Sequence, residues 1–169
     1  MEARREGEPT AMKNRTTVER KSERELVVTR TVNGPARIVF EAWTKPELLR
    51  RWWAPKSTGV SLLSCEADVR VGGRYRLVFG YEGSTMEFFG RYLEVTPHSR
   101  LVWTNEEDDA GQTVTTVTFE EADGKTHLTV HDLYPSAEAV DTGSTGAMPE
   151  VLDQLEELLV GLGSSTETK

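Results

Sequence analysis

A run of strand patterns between residues 60 and 133 limits the possible folds of this chain more than any other segment. The alternation of Tyr75, Leu77 and Phe79 with Arg74 and Arg76 predicts strands with one buried and one exposed face. Such a sheet is normally antiparallel, and the short connections favour hairpins. Five turn signals divide the run into six strands: Gly72-Gly73, Gly83-Ser84, Pro97-His98-Ser99, 108–111 and Asp123-Gly124.

Before this run, the pattern predicts one strand and two short helices. The β-branched segment ELVVTRTV, residues 25–32, is the first strand, and Pro35 suits the first turn of the helix that follows. Thr44 and Glu47 have the spacing of a capping box for a second helix, which is expected to carry Trp52 and Trp53 and to end before Pro55. Neighbouring helical residues point about 100° apart. One tryptophan is therefore expected to face the core, and the other a pocket rim or a subunit contact.

After residue 135 the period becomes helical. A broken start over 136–142 and a regular amphipathic helix over 147–162 are expected. The apolar stripe comprises Met148, Val151, Leu152, Leu155, Leu158, Leu159 and Leu162, and the predicted solvent side comprises Glu150, Asp153, Gln154, Glu156 and Glu157. Only the inner face of the sheet offers a matching apolar surface. The chain is therefore predicted to be an α+β protein with a curved sheet of about seven strands around a long C-terminal helix.

The 169 residues fit one domain, predicted over 23–162. A flexible N-terminal tail is expected over 1–22, because apolar residues are scarce there, and a polar tail over 163–169. Residues 1–25 hold seven basic and six acidic residues, so the rest of the chain has a net charge of −9 and argues against nucleic acid as a partner. No apolar run is long enough to span a membrane. A lone Cys65, interpreted as a small apolar residue, fits a cytoplasmic protein.

Four segments resemble the START-like (SRPBCC) superfamily: PARIVFEAWTKPELLRRWWAP, VGGRYRLVFG, FFGRYLEVTPHSRLVWTNEE and MPEVLDQLEELL. Within it, the chain is similar to bacterial proteins named after the C-terminal domain of the activator of 90-kDa heat-shock protein ATPase. The resemblance covers nearly the whole predicted domain and implies the helix-grip fold. It leaves function open, because this scaffold serves carriers, receptors and enzymes.

Large apolar residues are expected on the concave face opposite the helix, and they allow two interpretations. They fill a core, or they line a cavity whose Tyr and Trp tips orient an apolar or aromatic ligand. The predicted pocket residues are Trp53, Tyr75, Leu77, Phe79, Phe88, Tyr92, Trp103, Met148 and Leu152.

No catalytic constellation is evident from the sequence. A G-x-S-x-G elbow and a phosphate-binding loop are absent, and His127 and His131, four residues apart on a strand, are too distant to share a metal ion. Neither a metal nor a cofactor is therefore predicted. Glu94, His131 and Asp132 are polar pocket candidates. For Glu94 and Asp132 two interpretations stand: a surface position or salt bridge, or burial beside aromatic residues that raises the pKa enough for acid or base chemistry.

Three functions follow from these expectations. The first is binding of an apolar or aromatic small molecule without catalysis. The second is a cyclase- or hydrolase-like activity that uses Glu94, Asp132, His131 or Tyr92. The third is protein interaction, as the family name implies, although the chain lacks the N-x-N-N-W-H-W run of the eukaryotic activators. A homodimer is a further expectation, because Trp52 or a sheet edge could require cover.

Overall fold

The computed structural model of the protein describes residues 16–106, 111–138 and 148–167. The first 15 residues of the predicted tail, most of the turn at 108–111 and most of the helix start predicted over 136–142 lie outside this part. The secondary-structure elements are β1 (Thr17–Ser22), β2 (Glu25–Asn33), α1 (Ala36–Thr44), α2 (Pro46–Leu49), a 3₁₀ turn (Lys56–Thr58), β3 (Ser61–Ala67), β4 (Arg74–Tyr81), β5 (Ser84–Thr96), β6 (Arg100–Asn105), β7 (Thr113–Ala122), β8 (Lys125–Leu133) and α3 (Met148–Glu167).

The strands form one antiparallel sheet in the order β1-β2-β8-β7-β6-β5-β4-β3. The six strands predicted between residues 60 and 133 are confirmed. Two of their hairpins turn on residue pairs with positive φ, Glu82-Gly83 (49° and 84°) and Asp123-Gly124 (58° and 77°). A two-residue turn of this kind matches the twist of the strands that it joins.

The segment predicted as a flexible tail contains a strand, β1. Thr17–Ser22 pairs along β2 although all six side chains are exposed. Backbone hydrogen bonds to the edge of β2, rather than apolar burial, hold this strand. A hydrophobic pattern therefore gave no sign of it, and the sheet has one strand more than expected.

The two tryptophans after α2 also differ from expectation. Helix α2 ends at Leu49, and Trp52 and Trp53 lie in the turn that follows. The predicted capping box is wrong, because the Thr44 hydroxyl donates to the Phe40 carbonyl at 2.9 Å within α1. The Trp52 indole N–H donates to the carbonyl of Ala42 at 3.0 Å, and its side chain is 0% exposed. Trp52 is a core residue, so it gives no reason to expect a dimer.

Helix α3 packs its apolar stripe against α1 and the β2–β8 part of the sheet. The helix extends through Glu167, beyond the predicted end at residue 162. Two residues assigned to its solvent side, Gln154 and Glu156, are buried. The Glu156 carboxylate accepts hydrogen bonds from the Arg30 guanidinium at 3.1 Å and from the backbone N–H of Asn33 at 2.7 Å. These bonds explain why a carboxylate is tolerated in the protein interior.

Arg30 supplies the positive charge for this contact from the inner face of β2. Its side chain is 1% exposed and also forms an ion pair with Asp153. Burial of this guanidinium between sheet and helix requires both partners. The ion pairs of Arg30 with Asp153 and Glu156 therefore fix the position of α3 along the sheet.

Candidate functional site

One row of inner-face residues crosses four adjacent strands. Tyr92, Trp103, Thr115 and Asp132 are successive register partners on β5, β6, β7 and β8. Adjacent strands lie about 4.8 Å apart, so the row is about 14 Å long. It has aromatic residues at one end and a carboxyl group at the other, a composition unlike that of a simple core.

Tyr75 on β4 reaches toward this row across Gly90. Its hydroxyl lies 2.6 Å from the carbonyl of Thr104 and 2.8 Å from Oδ1 of Asn105. A Cβ at Gly90, the register partner of Tyr75, would lie 1.9 Å from the Thr104 carbonyl oxygen. Only glycine permits this close approach of β5 to β6.

A chain of side-chain hydrogen bonds continues from Asn105 to Asp132. The Asn105 amide donates to the Thr115 hydroxyl at 3.1 Å, and this hydroxyl donates to Oδ1 of Asp132 at 2.6 Å. Burial raises the pKa of Asp132, while the bond from Thr115 opposes the rise. A polar network therefore runs along an inner face that is otherwise apolar.

All four tryptophans of the sequence lie together at the aromatic end of the row. The Trp43 ring lies 4.9 Å from that of Trp52, 5.5 Å from that of Trp53 and 6.0 Å from that of Trp103. The Trp43 indole N–H is buried and finds no hydrogen-bond acceptor in the described part of the chain.

The turn that carries Trp53 is held to α3 by two side chains. Gln154 donates to the carbonyls of Trp52 (2.8 Å) and Ala54 (2.9 Å) and accepts from the Lys56 amide at 2.9 Å. One turn earlier, Glu150 accepts from the Ser57 amide and hydroxyl at 2.7 and 2.6 Å. These bonds lower the pKa of Glu150. Helix α3 therefore positions one wall of the site.

The structure brings most of the predicted apolar pocket residues into one cluster, which includes Trp53, Tyr75, Leu77, Phe79, Phe88, Tyr92 and Trp103. Met148 and Leu152 belong to the neighbouring cluster under α3, and Leu152 is 0% exposed there. Cys65 packs between the clusters, and burial raises the pKa of its thiol. A thiol of this kind is a poor nucleophile.

Two of the three predicted polar residues lie elsewhere. Glu94 accepts from Arg100 at 3.0 Å in a surface ion pair, with 43% of its side chain exposed. His131 faces outward, because its neighbours Val130 and Asp132 face inward, and it lies 2.9 Å from Glu25. Only Asp132 belongs to the inner-face row.

The other two histidines also lie outside the row. His127 bonds to the Thr31 hydroxyl at 3.0 Å on the exposed side of the sheet, and the His98 ring packs against Phe40. No group of three potential metal ligands occurs among the residues that the structure describes.

Sequence patterns missed Thr115 and Asn105. Both are common residues in strands and turns, and β7 reads TVTTVTFEEA, in which apolar residues do not alternate regularly. The face of each residue depends on pairing with β6 and β8. Register, which a single sequence does not show, was the missing information.

A large antiparallel sheet with a long C-terminal helix and two short helices after β2 defines the helix-grip fold of the START-like class. The chain belongs to the family described as Activator of Hsp90 ATPase homolog 1-like protein, whose model matches residues 33–160. The resemblance drawn from the sequence is therefore confirmed. No curated protein matches the chain.

Solved bacterial structures share this architecture. A protein from Rhodobacter sphaeroides is 26% identical with a TM-score of 0.80, over 87% of this chain and 99% of its own. A protein from Nitrosomonas europaea is 26% identical with a TM-score of 0.76, over 86% and 99%. An AHSA1-like protein from Aeromonas hydrophila, 20% identical over 81% and 94% with a TM-score of 0.66, shares the fold. Within the described residues, no helix is long and apolar enough to cross a membrane.

Proposed function

We propose that the inner face between β4 and β8 binds an apolar or aromatic small molecule and does not transform it. The observation that carries this proposal is the partial exposure of Trp53, Phe88 and Trp103, which lie on the face that a filled core would cover. Removal of such apolar surface from water contributes about 25 cal/mol per Å². A ligand that covers these rings gains this contribution without ordering a new segment of protein.

The composition of the row argues against the enzymatic alternative. Tyr92 and Asp132 are the remaining members of the predicted acid–base set on the inner face, and three strand spacings separate them, about 14 Å. A general acid and a general base must both reach one reacting group within about 3 Å. Backbone positions three strands apart do not favour such a pair. The proposal includes a cytoplasmic location, for which the single cysteine is the support.

The test is a titration with N-phenyl-1-naphthylamine, a neutral aromatic dye that accepts excitation energy from tryptophan. Because the four tryptophans lie together, binding at this face should quench their emission and increase that of the dye. Trp53→Leu is expected to weaken dye binding about tenfold through lost apolar contact. Leu93→Ala is the control, because Leu93 is 45% exposed outside the cluster.

Native mass spectrometry of the purified protein, followed by extraction, would identify a natural ligand. The proposal is wrong if the dye does not bind, or if Trp53→Leu and Leu93→Ala change its affinity equally. Melting temperatures of both variants show that they are folded.

A further inference from the structure

The hydrogen bonds of the polar network all point toward Asp132. The Asn105 amide donates to Thr115, and Thr115 uses its single hydroxyl proton on Oδ1 of Asp132. Asp132 is therefore the terminal acceptor of the network. Its other oxygen, Oδ2, has no partner among residues 16–106, 111–138 and 148–167, and the residue is partly exposed.

No positive side chain in the described part of the chain forms an ion pair with Asp132. The histidine beside it, His131, faces outward and pairs with Glu25. The buried cation of the inner face, Arg30, is occupied by Asp153 and Glu156. Oδ2 of Asp132 is not one of the buried side-chain atoms that lack a hydrogen-bond partner, so it is open to solvent and a donor group of a ligand can take the place of water there.

We propose that Asp132 is the polar anchor of the site and that the ligand is an apolar or aromatic amine. This inference rests on the proposed ligand-binding function. The ammonium group donates to Oδ2 of Asp132, and the apolar body lies against Trp103, the other partly exposed member of the row. Trp103 and Asp132 are two strand spacings apart, about 10 Å, which suits a ring joined to an amine by a short aliphatic chain.

Three features favour an amine over other polar groups. A carboxylate ligand would meet Asp132, with which no cation of the described residues forms an ion pair to offset the repulsion. An alcohol can donate to Oδ2 but forms a weaker bond than a charged donor. The face of a tryptophan or tyrosine ring attracts cations, and the formal charge of −8 on the chain attracts them over a longer range.

The experiment compares 4-phenylbutylamine, 4-phenylbutanol and 4-phenylbutyrate, which share one apolar body, by titration of tryptophan fluorescence of the full chain. The amine is expected to bind about tenfold more tightly than the alcohol, and the carboxylate most weakly. Asp132→Asn should bring the amine and the alcohol within about twofold of each other. Asp123→Asn, an equal charge change in the exposed β7–β8 turn, should preserve the preference.

Thr115→Val provides a second variant that leaves Asp132 in place. It removes the donor that holds the carboxyl group, so amine affinity should fall while alcohol affinity stays within about twofold. Equal binding of amine and alcohol to the unaltered protein would overturn the amine anchor but leave the proposed function intact. The same holds for an unchanged amine preference in Asp132→Asn. Absence of binding by all three probes and by N-phenyl-1-naphthylamine would overturn both.

Discussion

Replacement of Gln154 by leucine tests how α3 holds the wall of the site. Leucine has a similar size but removes three hydrogen bonds, to the carbonyls of Trp52 and Ala54 and from the amide of Lys56. The bond to Trp52 is buried and the other two are part-buried, so water can replace only some of the lost hydrogen bonds. At about 1 kcal/mol for each bond, the free energy of unfolding should fall by about 2 to 3 kcal/mol.

Urea denaturation followed by tryptophan fluorescence measures this loss. For an m-value of about 2 kcal/mol/M, the midpoint should fall by about 1 to 1.5 M. Glu157→Leu on the exposed side of the same helix is the control and should change stability by less than about 0.5 kcal/mol. If the urea midpoint of Gln154→Leu changes as little as that of the control, the argument that these bonds hold the turn is refuted. Weaker dye binding by Gln154→Leu is also expected, because Trp53 lies in that turn.

Three further substitutions test the contacts described above. Gly90→Ala places a Cβ 1.9 Å from a carbonyl oxygen and should destabilise the fold by at least about 3 kcal/mol. Gly161→Ala, in open space on α3, should instead stabilise the fold by up to about 1 kcal/mol, and the urea midpoints of the two variants distinguish these outcomes. Arg30→Met should cost about 3 to 5 kcal/mol, because it leaves Glu156 buried without its cation, and a midpoint equal to that of the unaltered chain would contradict this. Burial raises the pKa of Asp132 above the ordinary 3.8, so its ionisation destabilises the folded state as pH rises above that value. Asp132→Asn should therefore gain stability relative to the unaltered protein as pH rises, and a difference in melting temperature that does not change with pH would exclude the effect.

Local signals predicted correctly the six strands between residues 60 and 133 and the turns between them that lie within the described residues. Asp123-Gly124 requires two residues with positive φ, and few residue pairs other than Asn/Asp-Gly meet this requirement at low cost. The apolar stripe of α3 likewise identified a helix that needs a sheet. These features depend on neighbouring residues in the chain, so a sequence shows them directly.

Features that depend on distant partners were predicted poorly. Gln154 has the polarity of a surface residue, and its burial is explained only by backbone groups of residues 52–56. Thr17–Ser22 becomes a strand because β2 offers an unpaired edge. Thr44 was expected to cap α2, but the Phe40 carbonyl of the preceding helix takes its hydroxyl proton. The Gln154 contacts join residues about 100 positions apart, whereas the Thr44 bond lies within one helix, where a nearby carbonyl competes with the capping position.

The inner-face row shows why the same limit applies to function. The sequence alone allowed Asp132 either a surface ion pair or a buried site, and register with Thr115 and Trp103 places it inside. The aromatic cluster supplies apolar surface, which many ligands can cover, whereas Thr115 and Asp132 present a directed polar group, which few can satisfy. In the proposed site, affinity and selectivity would thus be carried by different strands. A protein with this fold but other residues at the Thr115 and Asp132 positions would retain an apolar site and prefer a different ligand, so family membership alone does not identify the ligand.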